Sequence, residues 1–86
     1  MICPGSVLQS PDGERIVVVL HVGGVSMGPI TVTCWQAWMG RAIAETIPLT
    51  DLTSSLEKGG LVHATGSVLA LGLKCFEMHT QLMAKQ

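Results

Sequence analysis

The chain has 86 residues, of which 48% are hydrophobic and 13% charged, and its five basic and six acidic residues give a formal net charge of -1. This length predicts one domain over residues 1–86, because domains seldom contain fewer than about 50 residues. The high apolar content and low charge exclude a disordered chain. They also exclude a strongly cationic protein that holds nucleic acid by its charge alone.

The sequence predicts no contact with a membrane. Its longest apolar runs, Ile16 to Leu20 and Gly66 to Leu73, are far shorter than the roughly 20 residues of a membrane-spanning helix. Residues Met1 to Gly5 have neither the basic nor the apolar region of a secretory signal. We therefore expect a cytoplasmic protein.

Three cysteines, Cys3, Cys34 and Cys75, are an odd number at wide spacing, which fits neither a disulfide framework nor paired metal ligands. We expect them to be small, buried apolar residues. The histidines also lie too far apart in sequence to act as a ligand pair. A metal site that the fold assembles from Cys34, Cys75 and a histidine is the alternative, and no cofactor is predicted.

Two β-strands are predicted in the first quarter of the chain. Ser10-Pro11-Asp12-Gly13 has the residue types of a tight turn, and it separates a strand from Ile2 to Gln9 from another from Glu14 to Val22. The second segment is dense in β-branched residues and too short for an ordinary helix. It is the strongest strand signal in the sequence.

A third strand is predicted from Ile30 to Trp35, where apolar and hydroxyl residues alternate. Successive side chains of a strand point to opposite faces of its sheet. One face therefore carries Ile30, Val32 and Cys34, and the other carries Thr31, Thr33 and Trp35.

The rest of the chain predicts one clear helix and further strands. Alanines and an apolar period predict a helix from Gln36 to Ile47, ending before Pro48. A weaker helical segment runs from Asp51 to Lys58, with Thr50 as its cap and Gly59-Gly60 as its end. Leu61 to Leu69 returns to β character. Ala70 to Ala84 is predicted as a strand, although Leu71, Cys75, Met78 and Leu82 also fit a helix.

This order of elements predicts an all-β fold with one short helix between strands three and four. It has too few helices for a doubly wound parallel sheet. A small closed or partly open β-barrel removes exposed sheet edges and encloses one core. We therefore expect a barrel.

Three segments of the sequence carry a resemblance to a known family. They are Gly5-Ser6-Val7, the run from Ile30 to Ala37, and the run from Lys58 to Gly66. In their order and spacing they resemble the single-stranded DNA-binding protein family and the DNA-binding domains of replication protein A. The resemblance implies a five-stranded oligonucleotide-binding (OB) fold and a protein of replication or recombination that binds single-stranded DNA, with RNA as the alternative.

The same resemblance places a stacking aromatic at Trp35, and a base stacked on such a side chain contributes about 1–3 kcal/mol. Thr31 and Thr33 share its face and are further candidate contacts. The candidate phosphate contacts are Arg15, Lys74, Arg41 and Lys58. The alternatives are that Trp35 packs under a loop or against another subunit, that Arg41 pairs with Glu45 on one helix face, and that each base is simply solvated. Trp38 is predicted to lie in the core.

Five dispersed cations allow few phosphate contacts, so a monomer would bind nucleic acid weakly. A dimer or tetramer would multiply the contacts and bury the excess apolar surface. Because the chain has a single Phe and no Tyr, the alternative function is an OB-fold module for protein assembly with little or no nucleic-acid binding. No catalytic motif or phosphate-binding glycine loop is recognisable, so neither catalysis nor a small-molecule substrate is expected.

Overall fold

The structure is a computed structural model that describes residues 2–24, 28, 30–38 and 41–84, without the side chain of Trp38. The predicted core position of Trp38 therefore lies outside the described residues. Five strands and two helices follow one another along the chain: β1 (Val7–Gln9), β2 (Ile16–Gly23), β3 (Thr31–Trp38), β4 (Arg41–Pro48), α1 (Leu49–Lys58), β5 (Val62–His63) and α2 (Gly66–Ala84).

The five strands form one antiparallel sheet in the order β4-β3-β2-β1-β5. The first four strands are a meander, and α1 then leads from β4 at one edge to β5 at the other. The predicted OB-fold barrel with one short helix is wrong, because β4 and β5 are the two edges of an open sheet and do not pair with each other. With two helices, the fold is mixed α/β.

Strand β2 explains why the sheet stays open and has a helix on each side. Val17, Val18 and Val19 are all fully buried, although consecutive side chains point to opposite faces. On one face, Val17 and Val19 pack with Leu52 of α1 in the main core. On the other face, α2 packs across β1 and β2. A strand that is apolar on both faces requires a layer on each side of the sheet, which a barrel strand does not have.

The tail that was predicted as strands is the 19-residue helix α2, and only Val62–His63 of the predicted strand Leu61 to Leu69 is β-structure. The more buried residues of α2 recur at helical spacing: Val68, Leu69, Gly72, Cys75, Phe76 and His79. The segment is helical although Phe76, Met78, Thr80 and Leu82 alternate as in a strand, because the helix can bury its apolar stripe against the sheet. Among the described residues, no helix is both long enough and apolar enough to cross a membrane.

The predicted helix from Gln36 to Ile47 is also wrong, because this segment forms the end of β3 and nearly all of β4. β4 pairs with β3 from Arg41, opposite Trp38, to Pro48, opposite Thr31. Tertiary pairing overrides the helix propensity of the alanines. Arg41 and Glu45, the proposed ion pair of a helix, instead lie on one face of a strand. Met39 and Gly40, which precede β4, lie outside the described residues.

Two local predictions are confirmed. Gly13 closes the first turn with a φ of 78°, and its N–H donates to the Ser10 carbonyl at 2.8 Å. There the Ser10 hydroxyl and the Glu14 N–H donate to the Asp12 carboxylate and lower the pKa of Asp12. Helix α1 ends at Gly59, whose φ is 80°. It begins after Pro48 without a side-chain cap, so the predicted Thr50 cap is wrong.

Gly72 is the point at which α2 comes closest to the sheet. A Cβ added at residue 72 would lie 2.5 Å from Cγ1 and 2.6 Å from Cγ2 of Val7. We expect Gly72→Ala to lower the free energy of unfolding, because overpacking costs about 1–3 kcal/mol and exceeds the helix-propensity gain of about 1 kcal/mol.

Urea denaturation measures this change, and Val7→Ala provides the matched background because it removes the two methyl groups in question. In that background Gly72→Ala should cost much less, because only the Cβ of residue 7, at 3.1 Å, remains close to the added methyl group. An equal loss of stability in both backgrounds would contradict the close contact.

Candidate functional site

The described part of the chain covers the α2 side of the sheet only in part. Helix α2 packs over β2 and β1 and has at most marginal contact with β3 and β4. Trp35 lies opposite Val18 of β2 and Ala44 of β4, so it shares the face on which α2 packs. We call the uncovered part the open face; it consists of Thr31, Thr33, Trp35, Ala42, Ala44 and Thr46.

Trp35 is the largest side chain of the open face. It is half-buried, whereas Val32 and Cys34 of the same strand are fully buried on the other face. This observation confirms the alternation that was predicted for the third strand at these positions, although Ile30 is 53% exposed and precedes the strand. The neighbour of Trp35 on the edge strand is the exposed Ala44. One flank of the indole therefore meets only a methyl-sized side chain.

The threonine hydroxyls of the open face already have protein partners. Thr33 and Thr46 share a hydrogen bond of 3.3 Å across β3 and β4. The Thr31 hydroxyl donates to the Gly23 carbonyl at 3.0 Å. These bonds satisfy the polar groups beside Trp35, so the open face can lose water at low cost.

The predicted phosphate contacts do not gather around Trp35. Arg15 bonds Gln36 on the α1 side of the sheet, and the alternation of β4 places Arg41 on that side as well. Lys58 is the exposed last residue of α1. Lys74 alone lies in the α2 layer, and it lies in a helix rather than in the predicted strand. The structure thus divides the predicted nucleic-acid contacts between two opposite surfaces.

Arg15 belongs to a polar network that the sequence did not reveal. Its Nε and Nη2 donate to Oε1 of Gln36 at 2.9 Å and 2.6 Å. Nε2 of Gln36 in turn donates to the Glu45 carboxylate. Gln36 is only 6% exposed, so these two partners satisfy a buried amide from both ends.

A cavity of about 390 Å³ adjoins this network between the sheet and α1, and its lining includes Arg15, Glu45, Asp51 and Ser55. The buried Cys34 lies beside Gln36, whose Nε2 donates to its Sγ at 3.8 Å, and the pKa of Cys34 is raised by burial and by the negative charge of Glu45. The thiol therefore stays protonated at neutral pH. The expectation of three buried cysteines holds only for Cys34, since Cys75 is half-buried and Cys3 is exposed. Within the described ranges, no cluster of three or more metal-ligating side chains is present.

Helix α2 adds a second unpartnered surface to the open face. Leu71, Met78 and Leu82 are 55%, 55% and 63% exposed. With the half-buried Cys75 they recur at spacings of four, three and four residues, which aligns them along one side of a helix. We call these four residues the α2 seam. The open face and the α2 seam lie on the same side of the sheet and form the candidate interaction site.

No protein-family model matches the chain, and searches of curated proteins and of solved structures found no significant match. A function can therefore be inferred only from the geometry of the site.

The network gives Arg15 a structural role that can be measured. Arg15→Met leaves Oε1 of Gln36 without its two donors, and an unsatisfied buried polar group costs about 1–3 kcal/mol. We expect that loss of unfolding free energy in urea denaturation. The double variant Arg15→Met/Gln36→Leu, which replaces both partners by apolar groups, should recover part of it. An Arg15→Met protein as stable as the parent would show that the network does not stabilise the fold.

Proposed function

We propose that the protein is an assembly module that binds other protein chains, beginning with a second copy of itself, through the open face and the α2 seam. The observation that carries the proposal is the amount of large apolar surface left exposed. Five of the eight large apolar side chains that are exposed among the described residues belong to α2; the eight are Ile30, Ile43, Val62, Leu71, Leu73, Met78, Leu82 and Met83. Of these, Leu71, Met78 and Leu82 lie together in the α2 seam, and contiguous exposed apolar surface on a small protein is typical of an interaction site.

The arrangement of α2 supports association with a helix or a sheet surface. One side of α2 is used to cover β1 and β2. The α2 seam adjoins this side, shares the half-buried Cys75 with it, and has the spacing by which one helix packs along another. A partner that covered Leu71, Met78 and Leu82 would remove their exposed apolar surface from water and so stabilise the assembly. We infer that a protein partner covers the seam.

The charge distribution favours protein over nucleic acid as the partner. Eleven charged residues with a net charge of -1 give little long-range repulsion between two copies. Phosphate binding, by contrast, depends on several cations lying together, and Arg15, Arg41 and Lys58 lie away from the open face. This supports the assembly function, which was the alternative drawn from the sequence, without the OB barrel.

The proposal predicts concentration-dependent self-association that persists at high salt, because apolar burial and not ionic attraction drives it. Sedimentation velocity over low to high micromolar concentrations measures it. Met78→Glu should weaken association about tenfold or more, since a buried Met side chain contributes about 1.5–3 kcal/mol.

Thr80→Glu is the matched control, because it adds the same charge at an exposed position on the opposite side of α2. It should leave association unchanged. A parent protein that stays monomeric at every concentration would contradict the assembly function.

Single-stranded nucleic acid is the second candidate partner, and the incomplete burial of the Trp35 indole is the observation that favours it. If bases stack there, oligothymidine should quench the tryptophan fluorescence, and raising the salt concentration should weaken this quenching. Trp35→Ala should then cost about 1–3 kcal/mol of binding without unfolding the chain. Unchanged fluorescence at high micromolar oligonucleotide and low salt would exclude this candidate.

A further inference from the structure

Strand β4 is a long sheet edge, and among the described strands only β3 pairs with it. All eight of its residues lie outside β3 in the strand order, and seven of the eight are exposed. Proteins protect such edges with charged side chains, above all lysines, or with prolines, bulges or very short strands. Within β4 there is no lysine, the two charges, Arg41 and Glu45, have opposite signs, the one proline is the last residue, and the register with β3 is unbroken. The opposite edge, β5, is protected by its length of two residues.

The register of β4 with β3 shows which backbone N–H and C=O groups of β4 point away from β3. The N–H of Leu49 donates to the carbonyl of Ile30 at 2.9 Å, and this pair continues the β3–β4 register. In an antiparallel ladder every second pair is hydrogen-bonded, so Arg41, Ile43, Glu45 and Ile47 direct their backbone groups toward β3. The N–H and C=O groups of Ala42, Ala44 and Thr46 therefore point out of the sheet.

The side chains of β4 match a second copy of β4 in one register. We propose that two chains pair their β4 strands antiparallel about a two-fold axis at Ile43, an inference that rests on the proposed self-assembly and specifies one of its contacts. In this register Arg41 of each copy lies opposite Glu45 of the other, and the two Ile43 side chains face each other. Ala42 and Ala44 exchange backbone hydrogen bonds, because both point outward.

Other registers fit less well. A two-fold axis at Ala44 would place Ile43 opposite Glu45 and Arg41 opposite Ile47, which pairs charge with apolar surface. A shift by one residue would set outward-pointing backbone groups against inward-pointing ones. In the Ile43 register, the Arg41–Glu45 and Ile43–Ile43 pairs are non-hydrogen-bonded pairs, whose side chains approach most closely. Ile43, which is 55% exposed, gains an apolar neighbour.

The joined sheet explains how edge pairing and the α2 seam can act together. The two-fold axis is perpendicular to the sheet, so both α1 helices lie on one side and both α2 helices on the other. The two open faces then form one continuous sheet surface between the two α2 helices. Two different two-fold contacts, one at β4 and one at the seam, close into a tetramer of identical chains when their axes cross at right angles.

The test uses the Met78→Glu protein, in which the seam contact is removed and the β4 contact should remain as a dimer. In that background Arg41→Glu replaces both Arg41–Glu45 pairs by two facing carboxylates and should raise the dissociation constant about tenfold or more. Arg41→Lys in the same background keeps both charge pairs and the Gln36–Glu45 hydrogen bond, and it should leave the dimer intact. Sedimentation velocity measures all three proteins, and urea denaturation of each shows that it folds.

A second measurement does not depend on charge. In the dimer, the amide hydrogens of Ala42 and Ala44 should exchange slowly, and dilution to the monomer should make them exchange fast. Ala44→Pro removes an outward-pointing N–H, which an edge strand tolerates, and should abolish the dimer while the chain remains folded.

The outcomes separate this inference from the proposed function. If the parent associates but Met78→Glu is monomeric, the β4 contact is refuted and the assembly function stands. The contact is also refuted if Arg41→Glu has no effect, if Arg41→Lys weakens the dimer as much as Arg41→Glu does, or if the two amides exchange fast in the dimer. A parent that never associates refutes both.

Discussion

The burial of three consecutive valines in β2 is the constraint on which the fold depends. Val17, Val18 and Val19 are fully buried, and because their side chains alternate, both faces of the sheet must be covered at this strand. Helix α1 meets the requirement on one face through Leu52. Helix α2 meets it on the other, close enough that Gly72 lies directly against Val7. The open sheet and its two helical layers follow from this one strand.

The accuracy of the sequence predictions depended on the range of the interactions involved. The turn at Gly13, the strand β2, the alternation around Val32 and the end of α1 at Gly59 are set by residues close in sequence, and they were predicted. The run from Ile16 to Leu20 also indicated that the sheet was not a barrel. A strand with one solvent-exposed face would alternate apolar and polar residues, and this run is apolar throughout. That signal was interpreted only as strand propensity.

The two wrong elements were decided by tertiary packing. Ala42 and Ala44 favour a helix, but this segment extends the sheet as β4 because β3 offers it a complete ladder of hydrogen bonds. In α2 an interior glycine weakens helix propensity, yet Gly72 is what allows the helix to approach Val7. Burial at every second residue continues past Trp35 to Gln36, but because Gln36 is polar, the apolar alternation in the sequence ends at Cys34 and did not indicate that β3 was longer than predicted.

The candidate site combines predictable and unpredictable parts for the same reason. The face of Trp35 follows from the pleat of β3, and it was predicted. The positions of its neighbours require the register of β4 and the placement of α2, which depend on contacts between residues far apart in sequence. The polar network of Arg15, Gln36 and Glu45 links β3, β4 and the residue before β2. It holds Arg15, a predicted phosphate contact, on the face of the sheet opposite to Trp35.

The open face itself is a consequence of how little chain is available to cover the sheet. A helix is about 10 Å across and neighbouring strands are about 4.8 Å apart, so one helix covers about two strands. Helix α2 covers β1 and β2, and no second described helix lies on that side. The uncovered positions of β3 and β4 are accordingly small or hydroxyl-bearing, at Thr33, Ala44 and Thr46. Trp35 is the exception to this pattern. An aromatic side chain at an uncovered position is better explained by a partner that covers it than by the stability of the isolated chain.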